Sequence, residues 1–148
     1  MTVLATQQSG DEAYLNAKNI ARSVKSLCEA SATSWATEDQ ESTTILNVAQ
    51  SLRSNYDALA NWISNPQFNV VATDKDGYAA GTAQGEYETM RAAMLTCYTA
   101  IDELFPLSNR GYLETHNPPG SAPTPRTVPP SSLSGVIDDL NAVVATIT

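Results

Sequence analysis

The chain holds few of the residues on which catalytic and metal sites depend. Among its 148 residues are one histidine, His116, and two cysteines, Cys28 and Cys97. A single histidine leaves at most one candidate for a metal site or a Ser–His pair, and no G-x-S-x-G motif accompanies it. Two cysteines without a C-x-x-C spacing form neither a disulfide framework nor a zinc site. We therefore predict no catalytic residue, no metal and no cofactor, with an enzyme assembled from distant groups as the alternative.

Both cysteines fall within apolar helical patterns. Buried cysteines behave as small hydrophobic side chains, and that is the prediction for Cys28 and Cys97. A single disulfide between the first and third predicted helices stays open as the alternative.

Charge is also scarce. Charged residues make up 16% of the chain, against roughly 25% in average soluble domains. The polar surface is carried mainly by Ser, Thr, Asn and Gln, and a neighbouring protein can cover such a surface at little desolvation cost. The shortage favours a protein that is built into an assembly, with a compositional bias of the host as the alternative.

The net charge of −8 disfavours direct binding to nucleic acid or to anionic lipid, since both require cations on the protein. Lys18, Arg22 and Lys25 share one stripe of the first predicted helix. Three charges without aromatic neighbours predict a solvated helix face.

No stretch approaches about 18 uninterrupted apolar residues, and residues 1–10 lack the basic start and apolar core of a secretory signal. We expect no membrane span. The protein is expected to stay in the cytoplasm or to be packed into a particle assembled there.

Four segments carry apolar residues at helical spacing: 11–32, 38–64, 82–105 and 131–147. Ser9 with Glu12 and Thr37 with Gln40 predict caps for the first two helices, and Asn65-Pro66 predicts the end of the second. The stripes predicted to be buried are Ala13, Ala17, Ile20, Val24 and Leu27; Ile45, Ala49, Leu52, Tyr56, Leu59 and Ile63; Tyr87, Met90, Met94, Cys97, Ile101 and Leu104; and Leu133, Val136, Leu140, Val143 and Ile147.

Each stripe occupies one side of its helix, and such a helix must bury that side against another element. Four helices of this length predict a single, mainly α domain over residues 1–148 with the architecture of an antiparallel four-helix bundle.

The connection 67–81 contains Asp74-x-Asp76-Gly77, which has the beginning of a calcium-binding loop. The twelfth position of that loop, which needs an acidic ligand, is Gly85. We therefore predict a turn there and a brief extended piece at residues 68–71.

The connection 106–130 is rich in proline. Residues 111–116 and 125–128 predict two strands, and residues 117–121 predict the turn between them. We predict a hairpin-like arm between the third and fourth helices, which its prolines confine to edge pairing.

From Asn65 onward, short segments follow one another in a characteristic order. They are Asn65-Pro66-Gln67-Phe68-Asn69-Val70 after a long helix, Leu104-Phe105-Pro106 at a helix end, Gly111-Tyr112-Leu113, a turn at Gly120, Arg126-Thr127-Val128-Pro129, and Ala142-Val143-Val144-Ala145-Thr146-Ile147. In this layout, over a little more than half its length, the chain resembles small structural proteins of tailed bacteriophages. Val128 stands where such proteins often carry a larger aromatic residue.

The resemblance implies a non-enzymatic virion protein of the neck, head-completion or tail-adaptor type, assembled in the host cytoplasm. Its partners would be portal, tail or capsid subunits and further copies of itself in a ring. Two alternatives stay open: a capsid decoration protein, and a soluble regulatory or chaperone-like binding module. The residues predicted to contact partners are Phe68, Val70, Tyr112, Leu113, Arg126 and Val128.

Overall fold

The protein is mainly helical, as predicted. The computed structural model describes residues 2–105 and 127–147, with side chains described from Ser9 onward. The elements within these ranges are α1 (Thr2–Trp35), β1 (Gln40–Glu41), α2 (Ser42–Ile63), α3 (Phe68–Asp76), α4 (Ala83–Leu104), β2 (Thr127–Val128) and α5 (Pro130–Thr146). The bounds of α4 and α5 agree with the predicted ones to within one residue.

The four long helices pack side by side, α1 and α4 each lying against both α2 and α5. Successive long helices run in opposite directions. Asn65, just after α2, donates to Ser9 of α1 (3.2 Å), and Gln84, at the start of α4, donates to the carbonyl of Ile63 at the end of α2 (2.6 Å). β2 precedes α5 and pairs antiparallel with β1, which precedes α2, so α2 and α5 begin at the same end.

The predicted extended piece at 68–71 is wrong, because these residues begin the helix α3. Phe68, Val71 and Ala72 are all buried, and their spacing of three and four places them on one side of a helix. The Asn65 side-chain oxygen accepts a hydrogen bond from the Gln67 amide at 2.9 Å, which starts the turn. α3 ends at Gly77, whose φ of 73° favours glycine. It packs against α1 and α4, at the end where α2 stops.

The predicted start of the first helix at residue 11 is also wrong. α1 begins at Thr2, so Ser9 and Glu12 lie inside it and form no capping box. Gly10 has a packing role there, because a Cβ atom at this position would lie 2.5 Å from the Cβ of Gln67. The glycine lets α1 approach the chain just before α3 and does not interrupt the helix.

The second helix begins at Ser42, four residues later than predicted. Residues 40 and 41 pair with β2 and are therefore extended. Thr37 donates to the carbonyl of Ser34 and Gln40 donates to that of Glu38, so neither side chain caps α2.

The predicted stripes supply most of the core. Ile20, Leu27, Tyr56 and Ile147 are only partly buried, and Leu104 is 40% exposed. Cys28 and Cys97 are fully buried and not bonded to each other, which confirms the prediction of small buried side chains.

Most of the predicted arm lies outside the described residues. The predicted strand at 111–116 and turn at 117–121 belong to residues 106–126. Thr127 and Val128 are extended, as predicted, and their strand partner in the described part of the chain is β1.

Candidate functional site

A cleft of about 670 Å³ opens where α5 stops short of its neighbours. The carbonyl of Ile147, just after α5, accepts a hydrogen bond from the Lys25 ammonium at 2.9 Å. The half of α1 that precedes Lys25 therefore extends past α5 and has a side left uncovered. We call this space the α1 cleft. Its wall on α1 is formed by Lys18, Arg22 and Lys25, spaced by four and three residues along one face of the helix.

The floor of the α1 cleft is aromatic and buried. Tyr14 and Tyr87 are 1% and 2% exposed, and the Phe68 ring packs edge-on against both, with centroids 5.3 and 5.2 Å away. The Tyr14 hydroxyl donates to the Asp76 carboxylate, and the ring centroids of Tyr14 and Tyr87 lie 6.5 Å apart. Desolvation, with the hydrogen bond to Asp76 as a further cause for Tyr14, raises both phenol pKa values far above their ordinary range. Both rings therefore stay neutral.

One carboxylate already occupies part of the α1 cleft. Asp76, the last residue of α3, accepts from the Lys18 ammonium at 2.8 and 3.0 Å. The hydrogen bonds from Lys18 and then from Tyr14 lower the pKa of Asp76 below its usual value. The charges of Lys18 and Asp76 offset each other, and the pair ties α1 to the end of α3.

The other two cations of the wall, Arg22 and Lys25, form no ion pair in the ranges that the structure describes. Arg22 is exposed, and within the described residues no hydrogen bond or ion pair engages its guanidinium. Lys25 donates to the neutral carbonyl of Ile147 and forms no ion pair within the described residues. A guanidinium and an ammonium one helical turn apart suit a carboxylate or another oxyanion, because both donate charge-assisted hydrogen bonds. Glu29, one turn beyond Lys25, and Glu86 of α4 also line the cleft, so its lining holds three cations and three carboxylates.

The opposite end of the helical body has a different charge. We define the acidic end as residues 36–41, 102–105 and 127–130, which hold five acidic residues and no Lys or Arg. Glu38, Asp39 and Glu41 are exposed. From residue 26 to residue 52 the chain has four acidic residues and no basic one. The acidic end therefore holds carboxylates without Lys or Arg, whereas the other described residues include both acidic and basic side chains.

A second cluster of ring and cation contacts lies between α2 and α4. The Arg91 guanidinium carbon is 3.9 Å from the Tyr56 ring centroid, and Arg53 lies 5.5 and 5.8 Å from the rings of Tyr56 and Tyr98. Arg91 also donates to the Tyr56 carbonyl at 2.9 Å. These contacts explain why Tyr56 of the second stripe is only partly buried, and they join α2 to α4.

The residues predicted to contact partners differ in their exposure and in their place in the fold. Phe68 is 1% exposed in the aromatic floor, which removes its side chain from the partner-binding set. Val70, on α3, is 53% exposed, and Val128 is half-buried in β2. Tyr112, Leu113 and Arg126 lie outside the described residues.

The α1 cleft was missed because its walls come from distant parts of the chain. Lys18, Arg22 and Lys25 were predicted to form a solvated helix face, and their spacing was the only available signal. That Asp76 and Tyr87 would meet this stripe depends on the packing of α3 and α4, which no local pattern encodes.

No protein-family model matches the chain, and no curated protein or solved structure matches it. In the ranges 2–105 and 127–147, no three His, Cys, Asp or Glu side chains converge as metal ligands. No helix in the same ranges is long and apolar enough to cross a membrane.

Proposed function

We propose that the protein is a structural assembly component of a tailed bacteriophage particle, of the neck, head-completion or tail-adaptor type. It acts as an antiparallel four-helix bundle that joins portal, tail or capsid subunits and further copies of itself in a ring. Residues 106–126 are the arm that contacts the neighbouring subunit. The protein works by contact and catalyses no reaction.

The observation that carries the proposal is the position of β2. α4 ends and α5 begins at the acidic end, so the described chain stops at residue 105 and resumes at residue 127 at the same end. β2 is held by two antiparallel register pairs, Gln40 with Val128 and Glu41 with Thr127. This strand pair fixes the residues that directly follow 106–126 to the helical body. It therefore supports the proposal that the inserted segment is an anchored arm.

The strand pair also offers a mode of contact. Each strand of a two-stranded sheet has one edge that the other strand does not cover, and a further strand can add there through backbone hydrogen bonds. The low charge content supports the same view, because few charges need to be desolvated when a subunit covers the surface.

The test is a deletion of residues 111–124 bridged by a short Gly/Ser linker, which keeps β2 and its partner intact. A matched control inserts the same linker after Gly81, which is exposed between α3 and α4 at the other end. Both variants should keep their helicity by circular dichroism. Only the deletion should abolish incorporation into particles, measured by mass spectrometry of purified virions.

Normal incorporation of the deletion variant would show that the arm is not the attachment device. Absence of the wild-type chain from purified particles would refute the proposal and favour a regulatory or chaperone-like module. The copy number per particle separates a ring component from a capsid decoration protein, which occupies many positions on the shell.

A further inference from the structure

The chain contains one Asp-Gly step, Asp76-Gly77, and no Asn-Gly step. Such a step is chemically labile, because glycine has no Cβ atom to hinder its own amide nitrogen. That nitrogen can attack the Cγ atom of the aspartate, which forms the N–Cγ bond of a succinimide ring and releases one water molecule. Hydrolysis returns the water. Cleavage of the N–Cγ bond restores aspartate, whereas cleavage of the original peptide bond leaves isoaspartate.

The folded chain restrains both reacting groups. The Gly77 amide donates to the Thr73 carbonyl at 3.1 Å, as the cap of α3. The Asp76 carboxylate accepts from the Lys18 ammonium at 2.8 and 3.0 Å and from the Tyr14 hydroxyl. The hydrogen bonds from Lys18 and then from Tyr14 lower the pKa of Asp76, which keeps the carboxylate ionised. Ring closure requires a protonated carboxyl group turned toward the next amide nitrogen, so these contacts oppose it.

The labile step lies at the less firmly packed end of α3. The buried residues of this nine-residue helix are Phe68, Val71 and Ala72, all in its first five positions. A helix of this length is not stable by itself and depends on its packing. Asp76 and Gly77 are exposed, and a Cβ atom at Gly77 would meet nothing within 4 Å. Local opening of this end therefore needs no movement of the core, and it would free the reacting groups.

We propose that Asp76-Gly77 is a site of spontaneous isoaspartate formation, and that Lys18 and Tyr14 set its rate by holding the Asp76 side chain against α1. Isoaspartate adds one carbon atom to the main chain between residues 76 and 77 and carries its free carboxylate on a shorter branch. The branch no longer reaches both partners on α1, so the modification loosens the end of α3 beside the α1 cleft. The reaction needs no partner and is independent of the proposed role in assembly.

The first test compares the folded with the unfolded chain. The full-length wild type is incubated at neutral pH in buffer and in guanidinium chloride, and electron-transfer mass spectrometry distinguishes isoaspartate from aspartate at residue 76. Isoaspartate should form about tenfold or more slowly in the folded chain, because only molecules with an opened α3 end react. Gly77→Ala should slow the reaction strongly in the unfolded chain, since a Cβ atom at residue 77 hinders the attack.

Two variants test the contacts with α1. Lys18→Met removes the ion pair, and Tyr14→Phe removes the other hydrogen bond while keeping the buried ring. In the folded state each should raise the rate by about two- to fivefold, which is the range that a partly exposed contact allows. The control Lys75→Met removes an exposed lysine next to Asp76 that forms no ion pair with it. This control should leave the rate unchanged.

Three results would overturn the proposal. They are equal rates in the folded and the unfolded wild type, rates in Lys18→Met and Tyr14→Phe no higher than in Lys75→Met, and no isoaspartate at residue 76 of the unfolded chain. Circular dichroism checks that each variant is folded, and if one of the two is not, the other still tests the contacts. The isoaspartyl protein, separated by ion exchange, should show faster hydrogen exchange of the Gly77 amide than the unmodified protein.

Discussion

The two ends of the helical body are held by different interactions. At the α3 end, the rings of Tyr14, Phe68 and Tyr87 pack within 5.2 to 6.5 Å of one another, and the Lys18–Asp76 ion pair ties α1 to α3. At the acidic end, two residues of β1 pair with two of β2 beside exposed carboxylates. The α3 end is held together by the chain's own side chains, and the α1 cleft opens beside them. The acidic end presents backbone edges and charge, which are the features that a partner can use.

The largest effect expected is at the centre of the α3 end. Phe68→Ala removes a fully buried ring and its two edge-on contacts, and should lower the free energy of unfolding by about 3–5 kcal/mol. Urea denaturation followed by circular dichroism measures this change. The control Val70→Ala trims an exposed side chain of the same helix and should cost less than about 0.5 kcal/mol.

Hydrogen exchange of the wild type and of the same variants tests whether the α3 end is more stable than the acidic end. In the wild type, the amide of Val71, bonded to the Gln67 carbonyl at 2.9 Å, should exchange more slowly than the amides of the two short strands. In Phe68→Ala the protection of α3 should fall toward that of the strands. If the strand amides of the wild type exchange more slowly than the amide of Val71, the acidic end is the more stable of the two ends, contrary to expectation.

A smaller effect is expected from two glycines, one in each half of the comparison. Gly10→Ala places a Cβ 2.5 Å from that of Gln67, a backbone-proximal atom that cannot swing away, and should destabilise by about 1–3 kcal/mol. Gly135→Ala, in α5, meets nothing within 4 Å. It should stabilise by about 0.5–1 kcal/mol, because alanine is the better helix former.

Thermal unfolding of both variants checks the signs. Opposite shifts of the melting temperature support a close approach at the α3 end and open space along α5. Stabilisation by Gly10→Ala would mean that α1 does not need its glycine to lie against residue 67.

The sequence predicted what local periodicity determines and missed what packing decides. Apart from Tyr56 and Leu104, the stripes of α2 and α4 were placed correctly, because a one-sided apolar pattern has few alternative uses. Ser9 and Glu12 had the spacing of a capping box, yet both lie inside α1, and Gly10 between them allows a close approach to Gln67 that only the fold creates. Phe68 looked extended beside two valines, yet the spacing of three and four to Val71 and Ala72 buries it in a helix.

The same limit applies to the candidate site. The cationic stripe on α1 was visible in the sequence, whereas its meeting with Asp76 required the direction of α3. The strand at Thr127 and Val128 was predicted, but its pairing with Gln40 and Glu41 joins segments far apart in the chain. Such pairings depend on the whole topology, and no local pattern specifies them.

The smallest expected effect is that of the Lys18–Asp76 ion pair, at the α3 end, on the free energy of unfolding. Hydrogen bonds from Lys18 and Tyr14 lower the pKa of Asp76 in the folded protein. A carboxyl group with a lowered folded pKa adds stability above its unfolded pKa, which is about 4, and loses that stability as the pH falls through the folded value. The side chain is 30% exposed, so solvent screening limits the contribution to roughly 1 kcal/mol or less.

Asp76→Asn should therefore be slightly less stable than the wild type at pH 7, and this difference in stability should shrink as the pH falls below about 4. Lys18→Met is the matched variant, because it removes the other partner and should narrow its own gap over the same pH range. If the free energies of unfolding of the wild type and Asp76→Asn differ by the same amount at every pH between 7 and 3, the ion pair does not stabilise the α3 end. The aromatic floor would then be the interaction that stabilises it.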